Sequence, residues 1–193
     1  TQQVAATLDA LKDLGFTRAP WSGVSFAFAD VNEPPERDEK IASLEAQVAE
    51  AAKNAETAEQ AMVSVLAHRR FGTTSLVASC VTAAPDVLRA RTRVLAGLCE
   101  DGELAGIHFE GPFVSHERCG APDPTYIVDP DADLTRTLIE DCQGYALSMT
   151  LAPEKPNAYG PGSVAEALID GGAVPSWGHT DSNSVKAREA LAY

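Results

Sequence analysis

The chain has 193 residues, 45% of them apolar, with 15 basic and 28 acidic side chains and a formal charge of −13. That length suits one ordinary domain and excludes two large ones, and the acidic balance argues against non-specific nucleic-acid binding, which needs a basic face. No apolar run approaches the roughly 18 residues of a membrane span. The opening TQQVAATLDALKDLG lacks the basic-then-apolar pattern of a signal peptide, so a cytoplasmic chain with no membrane and no nucleic-acid partner is expected.

The first third, residues 1–65, is alanine-rich and acidic and is expected to be a diverged, mostly helical region. Val4, Leu8, Leu11 and Leu14 share one face of a short helix that Gly15 can end. SGVSFAFADV, 22–31, reads as a strand, and the two prolines of NEPPERDE break it. A long helix is expected from Glu36 to Arg69, with a seam at Ile41, Leu44, Val48, Ala51, Ala55, Ala58, Met62 and Val65. Asn54 and Thr57 mark a break within it, because both side chains compete for local backbone bonds.

From about residue 66 the pattern becomes regular. GTTSLVASCVT (72–82) is a buried strand, and the helix after it has Pro85 in its first turn. LAGIHF (104–109) is the second strand, and a loop runs to about Pro130, where Asp131 can cap the helix ADLTRTLIEDC. YALSMTLAPE and AVPSWGHTD begin the third and fourth strands, separated by GPGSVAEALIDGG, and SVKAREALAY closes the chain as a helix. Four strand–helix repeats give an α/β fold with a parallel sheet, as an open sheet or as part of a (β/α)8 barrel. Residues 66–193 are taken as that domain. In either form the chemistry belongs at the C-terminal strand ends.

Two strand ends carry ligand-type residues. His108 and Glu110 share a face, Phe109 points the other way into helix packing, and Gly111-Pro112 turns the chain away. His179 ends the fourth strand. A carboxylate and an imidazole converging from two strands suit a divalent metal, which in catalytic zinc sites takes three protein ligands and a water. Glu110 and His179 are the candidates for two of the three, and His108 is either a third ligand or a neighbour. The bland alternatives are that His179 caps a helix and Glu110 pairs with an arginine. His68 is a surface histidine. Cys80, Cys99, Cys119 and Cys142 form no CxxC and are expected as reduced, mostly buried thiols. GxGxxG, GxxxxGK[ST] and GxSxG are all absent.

AGIHFEGPFVSHERCGAPDP, MTLAPE, GHTDS and FGTTSLVASCVTAAPD, in that arrangement over residues 60–190, resemble the N-acetylglucosamine-6-phosphate deacetylases of the amidohydrolase superfamily. The resemblance implies a metal-dependent TIM-type barrel, here about strands two to five with a helical N-terminal region. It implies hydrolysis of the acetamide of a small phosphorylated amino sugar, one divalent ion (zinc, with iron or another ion as the alternative) and a homodimer. By that resemblance Glu110 and His179 bind the metal. Two departures weigh against activity. Pro122 stands where the family has a substrate-contacting histidine, and no segment before Tyr193 matches those that supply the third ligand and the proton-transfer aspartate. The expected function is therefore that of a partial N-acetylglucosamine-6-phosphate deacetylase, impaired or inactive as this chain. The alternatives are N-acetylgalactosamine-6-phosphate as substrate, or a non-catalytic remnant that binds metal or serves as an assembly partner. A four-strand slice is also expected to leave two open sheet edges and an apolar inner face uncovered.

Overall fold

A computed structural model describes residues 57–193. The expected helix at the start of the chain, the strand at 22–31 and the long helix before residue 57 lie outside the described residues. The elements run α1 (Ala58–Arg70), β1 (Val77–Val81), α2 (Pro85–Glu100), β2 (Gly106–Glu110), a 3-10 turn at Pro124–Tyr126, α3 (Ala132–Asp141), β3 (Ala146–Leu151), α4 (Val164–Asp170), β4 (Val174–Trp177) and α5 (Ser184–Leu191). The four strands pair in parallel in the order β1-β2-β3-β4. Among the described residues the outcome is an α/β fold with a four-stranded parallel sheet flanked by helices.

Local chemistry explains where the helices begin. Thr57 is the N-cap of α1 in extended conformation, and it exchanges reciprocal bonds with Gln60 in a capping box. A helix thus starts at Thr57, and the part of the expected break before it lies outside the described residues. Pro85 opens α2, where its missing N–H is no loss. Asp131 accepts from the N–H groups of Asp133 and Leu134 at 2.9 and 3.0 Å, Ser163 from that of Glu166, and Asn183 from those of Val185 and Lys186. The cap of α5 is therefore Asn183 and not His179.

The core lies between the sheet and its helices. Phe109, Met149 and Cys80 come from one side of the sheet, Leu88 and Leu95 from α2, Leu138 from α3 and Leu168 from α4, all buried. α1 adds Ala61 and Val65, one turn apart on the same face.

The opposite face corrects one expectation. Strand register aligns Ser79 with His108 and Ser148, and Val81 with Glu110, Thr150 and Ser176. The inner face is a band of hydroxyl, imidazole and carboxylate groups with Val77, Val81 and Val174 at its margins, not an apolar surface. The first strand is also shorter than expected, because Gly72 at φ +89° and the segment to Leu76 stay outside the sheet. β1 and β4 each pair on one side only among the described residues, with Val77 and Val174 exposed. Pro175 sits in β4, where an edge strand tolerates a residue with no N–H to donate.

Candidate metal centre

β2 delivers Glu110 to the C-terminal edge of the sheet, and the next residues are fixed closely. Gly111 has φ +87°, and a Cβ there would lie 2.2 Å from Thr82 Oγ1. That hydroxyl donates to the Glu110 carbonyl at 2.7 Å, and the Thr82 N–H donates to the same oxygen at 3.0 Å. The loop then folds inward: Phe113, Val114 and Ser115 are buried, and the Ala152 N–H donates to the Phe113 carbonyl.

His179 meets Glu110 from the end of β4. Its Nε2 lies 3.1 Å from Glu110 Oε1, with both side chains about a quarter exposed. Its Nδ1 faces the carbonyl oxygens of Arg118 and Cys119 at 3.1 and 2.9 Å. Two acceptors at Nδ1 require the hydrogen there, which in a neutral ring leaves Nε2 as a bare lone pair aimed at a carboxylate. Two acceptors at that separation need a proton or a cation between them. Anchoring one ring nitrogen on backbone carbonyls while the other is presented is how metal-binding imidazoles are oriented. His179 has φ +49°, a left-handed conformation that costs a non-glycine residue about 1 kcal/mol and that surrounding bonds must hold.

Those bonds come from two loops. The Ser115 N–H donates to the His179 carbonyl at 2.8 Å, and Arg118 Nε pairs with Asp181 at 2.8 Å. Glu154, at the end of the LAPE stretch, accepts from the Thr180 hydroxyl and, at 2.8 Å, from the Asp181 N–H. Sequence reasoning gave Glu154 no role. Its signal was a carboxylate just past a strand-ending proline, level with the GHTD loop.

His108 sits one strand step below Glu110. Its Nδ1 is 2.8 Å from Ser148 Oγ and its Nε2 is 3.2 Å from Thr150 Oγ1, so one hydroxyl accepts and the other donates. Burial pushes this imidazole toward its neutral form, against the opposing pull of Glu110. Both its nitrogens are engaged by these hydroxyls, and His108 stands beside the pair. Pro122 is buried and offers no donor, while His116 and His68 are exposed.

The pair therefore fits a divalent ion in donor chemistry and in orientation, but it supplies two donors. Among the described residues no group of three or more His, Cys, Asp or Glu side chains gathers to hold a metal. Glu110 pairs with the histidine and not with an arginine.

No family model matches the chain. Two kinds of relative do. Over 124 residues, 62% of the chain, it is 32% identical to an N-acetylglucosamine-6-phosphate deacetylase of Lysinibacillus sphaericus, of which it covers 31%. Over 137 residues, 70% of the chain, it is 28% identical to an N-acetylgalactosamine-6-phosphate deacetylase of a Shewanella species. A crystal structure of N-acetyl-D-glucosamine-6-phosphate deacetylase from Mycobacterium smegmatis superposes with a TM-score of 0.67 at 34% identity, over 74% of this chain and 37% of that one. Most of this chain is homologous to the amidohydrolase-superfamily deacetylases. It spans about a third of their length, and its sheet corresponds to part of their barrel. The other kind of relative is unrelated to these. Over 47 residues, 24% of the chain, it is 92% identical to the DNA-directed RNA polymerase subunit beta' of Bifidobacterium longum, covering 4% of that protein. No helix among the described residues is long and apolar enough to cross a membrane.

Proposed function

We propose that residues 57–193 are about strands two to five of an N-acetylglucosamine-6-phosphate deacetylase barrel, retaining two metal ligands and no complete catalytic set. The observation that carries this is the 3.1 Å approach of Glu110 Oε1 to a His179 Nε2 whose other nitrogen is held by two carbonyls. A divalent ion bound there would supply Lewis acidity toward an amide carbonyl. The chain's own residues would orient that site: Thr82 and Gly111 fix Glu110, the Arg118 and Cys119 carbonyls set the imidazole, and Glu154 pins the loop beyond it. Amide hydrolysis also needs a side chain that takes and returns a proton, and a donor for the carbonyl oxygen. Pro122 cannot donate. His108 has both nitrogens engaged.

The site is therefore expected to bind zinc weakly and not to turn over N-acetylglucosamine 6-phosphate. Calorimetric titration with zinc should give weak binding in the wild type, lost in Glu110→Ala and in His179→Ala. Equal affinity in all three would remove the pair from the site, and acetate release by the zinc-loaded chain would overturn the inactivity. The Shewanella relative supports a second reading, in which the parent enzyme acts on the galactosamine epimer. Comparing the two sugars on the full-length parent separates the two.

A further inference from the structure

We infer that this chain joins segments of two unrelated proteins: a stretch of an RNA polymerase beta' subunit in its N-terminal part, and an internal piece of a deacetylase after it. The inference rests on the two homologies and not on the proposed metal site.

The two matches differ in kind. Bifidobacterial beta' subunits match at 92%, 74% and 68% identity, whereas the deacetylases match at 28–36%. One reading frame diverging as a unit does not keep a quarter of its length nearly unchanged relative to one protein while the rest resembles a different one only distantly. Position follows from room. The deacetylase-like stretches HFEGPF, LAPE and GHTD span 108–181, and only 12 residues follow Asp181. A 47-residue match to an unrelated protein therefore fits only before them. The beta' relatives match 24–29% of the chain and the deacetylases 46–70%, so each kind of match accounts for a different share of it.

The structure puts α1 with the deacetylase-like unit. α1 begins with its own capping box at Thr57 and Gln60, a start signal that needs no preceding residue. Ala61 and Val65 of α1 then belong to the same buried core as β1 and α2, so the deacetylase-like unit includes the helix up to its cap. α1 also runs across position 65, where the change of composition was placed.

Two measurements test this. The first is sequencing of the coding DNA on both sides of codons 1–193. In-frame upstream sequence that continues the beta' subunit supports the join, and upstream sequence that continues a deacetylase overturns it. The second uses the full chain with residues 1–56 replaced by a glycine-serine segment of equal length. A foreign upstream segment predicts a thermal midpoint moved by less than about 2 °C, as for a surface change. A fall of more than about 8 °C would show that the upstream residues are part of the deacetylase-like unit and would overturn the inference. The DNA measurement decides independently of how the variant folds.

Discussion

Among the described glycines, Gly111→Ala should make the closest contact, and its cost should depend on Thr82. The new Cβ would stand 2.2 Å from Thr82 Oγ1, and Val114 Cγ1 at 3.4 Å closes another side. Thr82 is buried and its hydroxyl is committed to the Glu110 carbonyl at 2.7 Å, so relief means rotating it away and giving up that bond, about 1 kcal/mol. The backbone at φ +87° adds roughly 1–2 kcal/mol for any side chain. The sum is about 2–3 kcal/mol, or a midpoint lowered by roughly 5–10 °C for a domain of this size. In a Thr82→Ala background the clash has no partner, and only the backbone term of about 1–2 kcal/mol remains. A four-member set of urea melts (wild type, each single variant, the double) measures the coupling, expected near 1 kcal/mol. Equal losses from Gly111→Ala in both backgrounds would refute the contact as the reason for glycine.

Asp141 should make stability pH-dependent at the acid end. Its carboxylate is 12% exposed and accepts from Arg89 Nε at 2.7 Å and from Arg93 Nε at 2.8 Å. Burial alone would raise its pKa, but the two guanidinium bonds outweigh it and the net shift is downward. A depressed folded pKa means stability that is present above the unfolded value, near 3.9, and lost as pH falls through the folded one. Asp141→Asn should therefore cost about 1–2 kcal/mol at pH 7, after allowance for the half-exposed arginines, and the gap should narrow as pH falls below the unfolded value. A gap constant with pH in acid melts would contradict this. Thiol alkylation gives another check: burial pushes Cys80 up to about 11 and Cys142 up to about 12, and also raises Cys99. At pH 8 native protein should lose only the Cys119 thiol to iodoacetamide, with the other three reacting after denaturation. Mass-spectrometric labelling of Cys80 or Cys142 ahead of Cys119 would count against the packing.

Much of the fold was legible because it is written in local chemistry. Pro85 and Asp131 stand where helices start, and Ser163 caps α4 within the GPGS turn. Glu110 and His179 were legible as a pair because strand ends of a parallel sheet converge, and period-2 alternation sends Phe109 to the opposite face. What escaped was non-local. The inner face was expected to be apolar because buried strands usually are, yet register sets Ser79, His108 and Ser148 in one row, and no strand shows that by itself. Glu154 looked like an exposed charge after a proline until the tertiary fold set it against Thr180 and Asp181.

The Glu110–His179 pair is held from within the described sheet. Each member is oriented by bonds within the β1–β4 segment: Glu110 by Thr82 just past the neighbouring strand, His179 by the carbonyls of Arg118 and Cys119 in the loop after β2. None of these supports needs the remainder of a barrel. A preorganised but two-coordinate pair should take zinc weakly and with little structural change, since its orienting bonds are already made. Adding a histidine by design at Ser176, on the same inner-face row as Glu110 and Thr150, is the direct way to test that reading. Ser176→His should tighten zinc binding by about tenfold or more if the pair is preorganised, and should leave it unchanged if Glu110 and His179 do not bind metal.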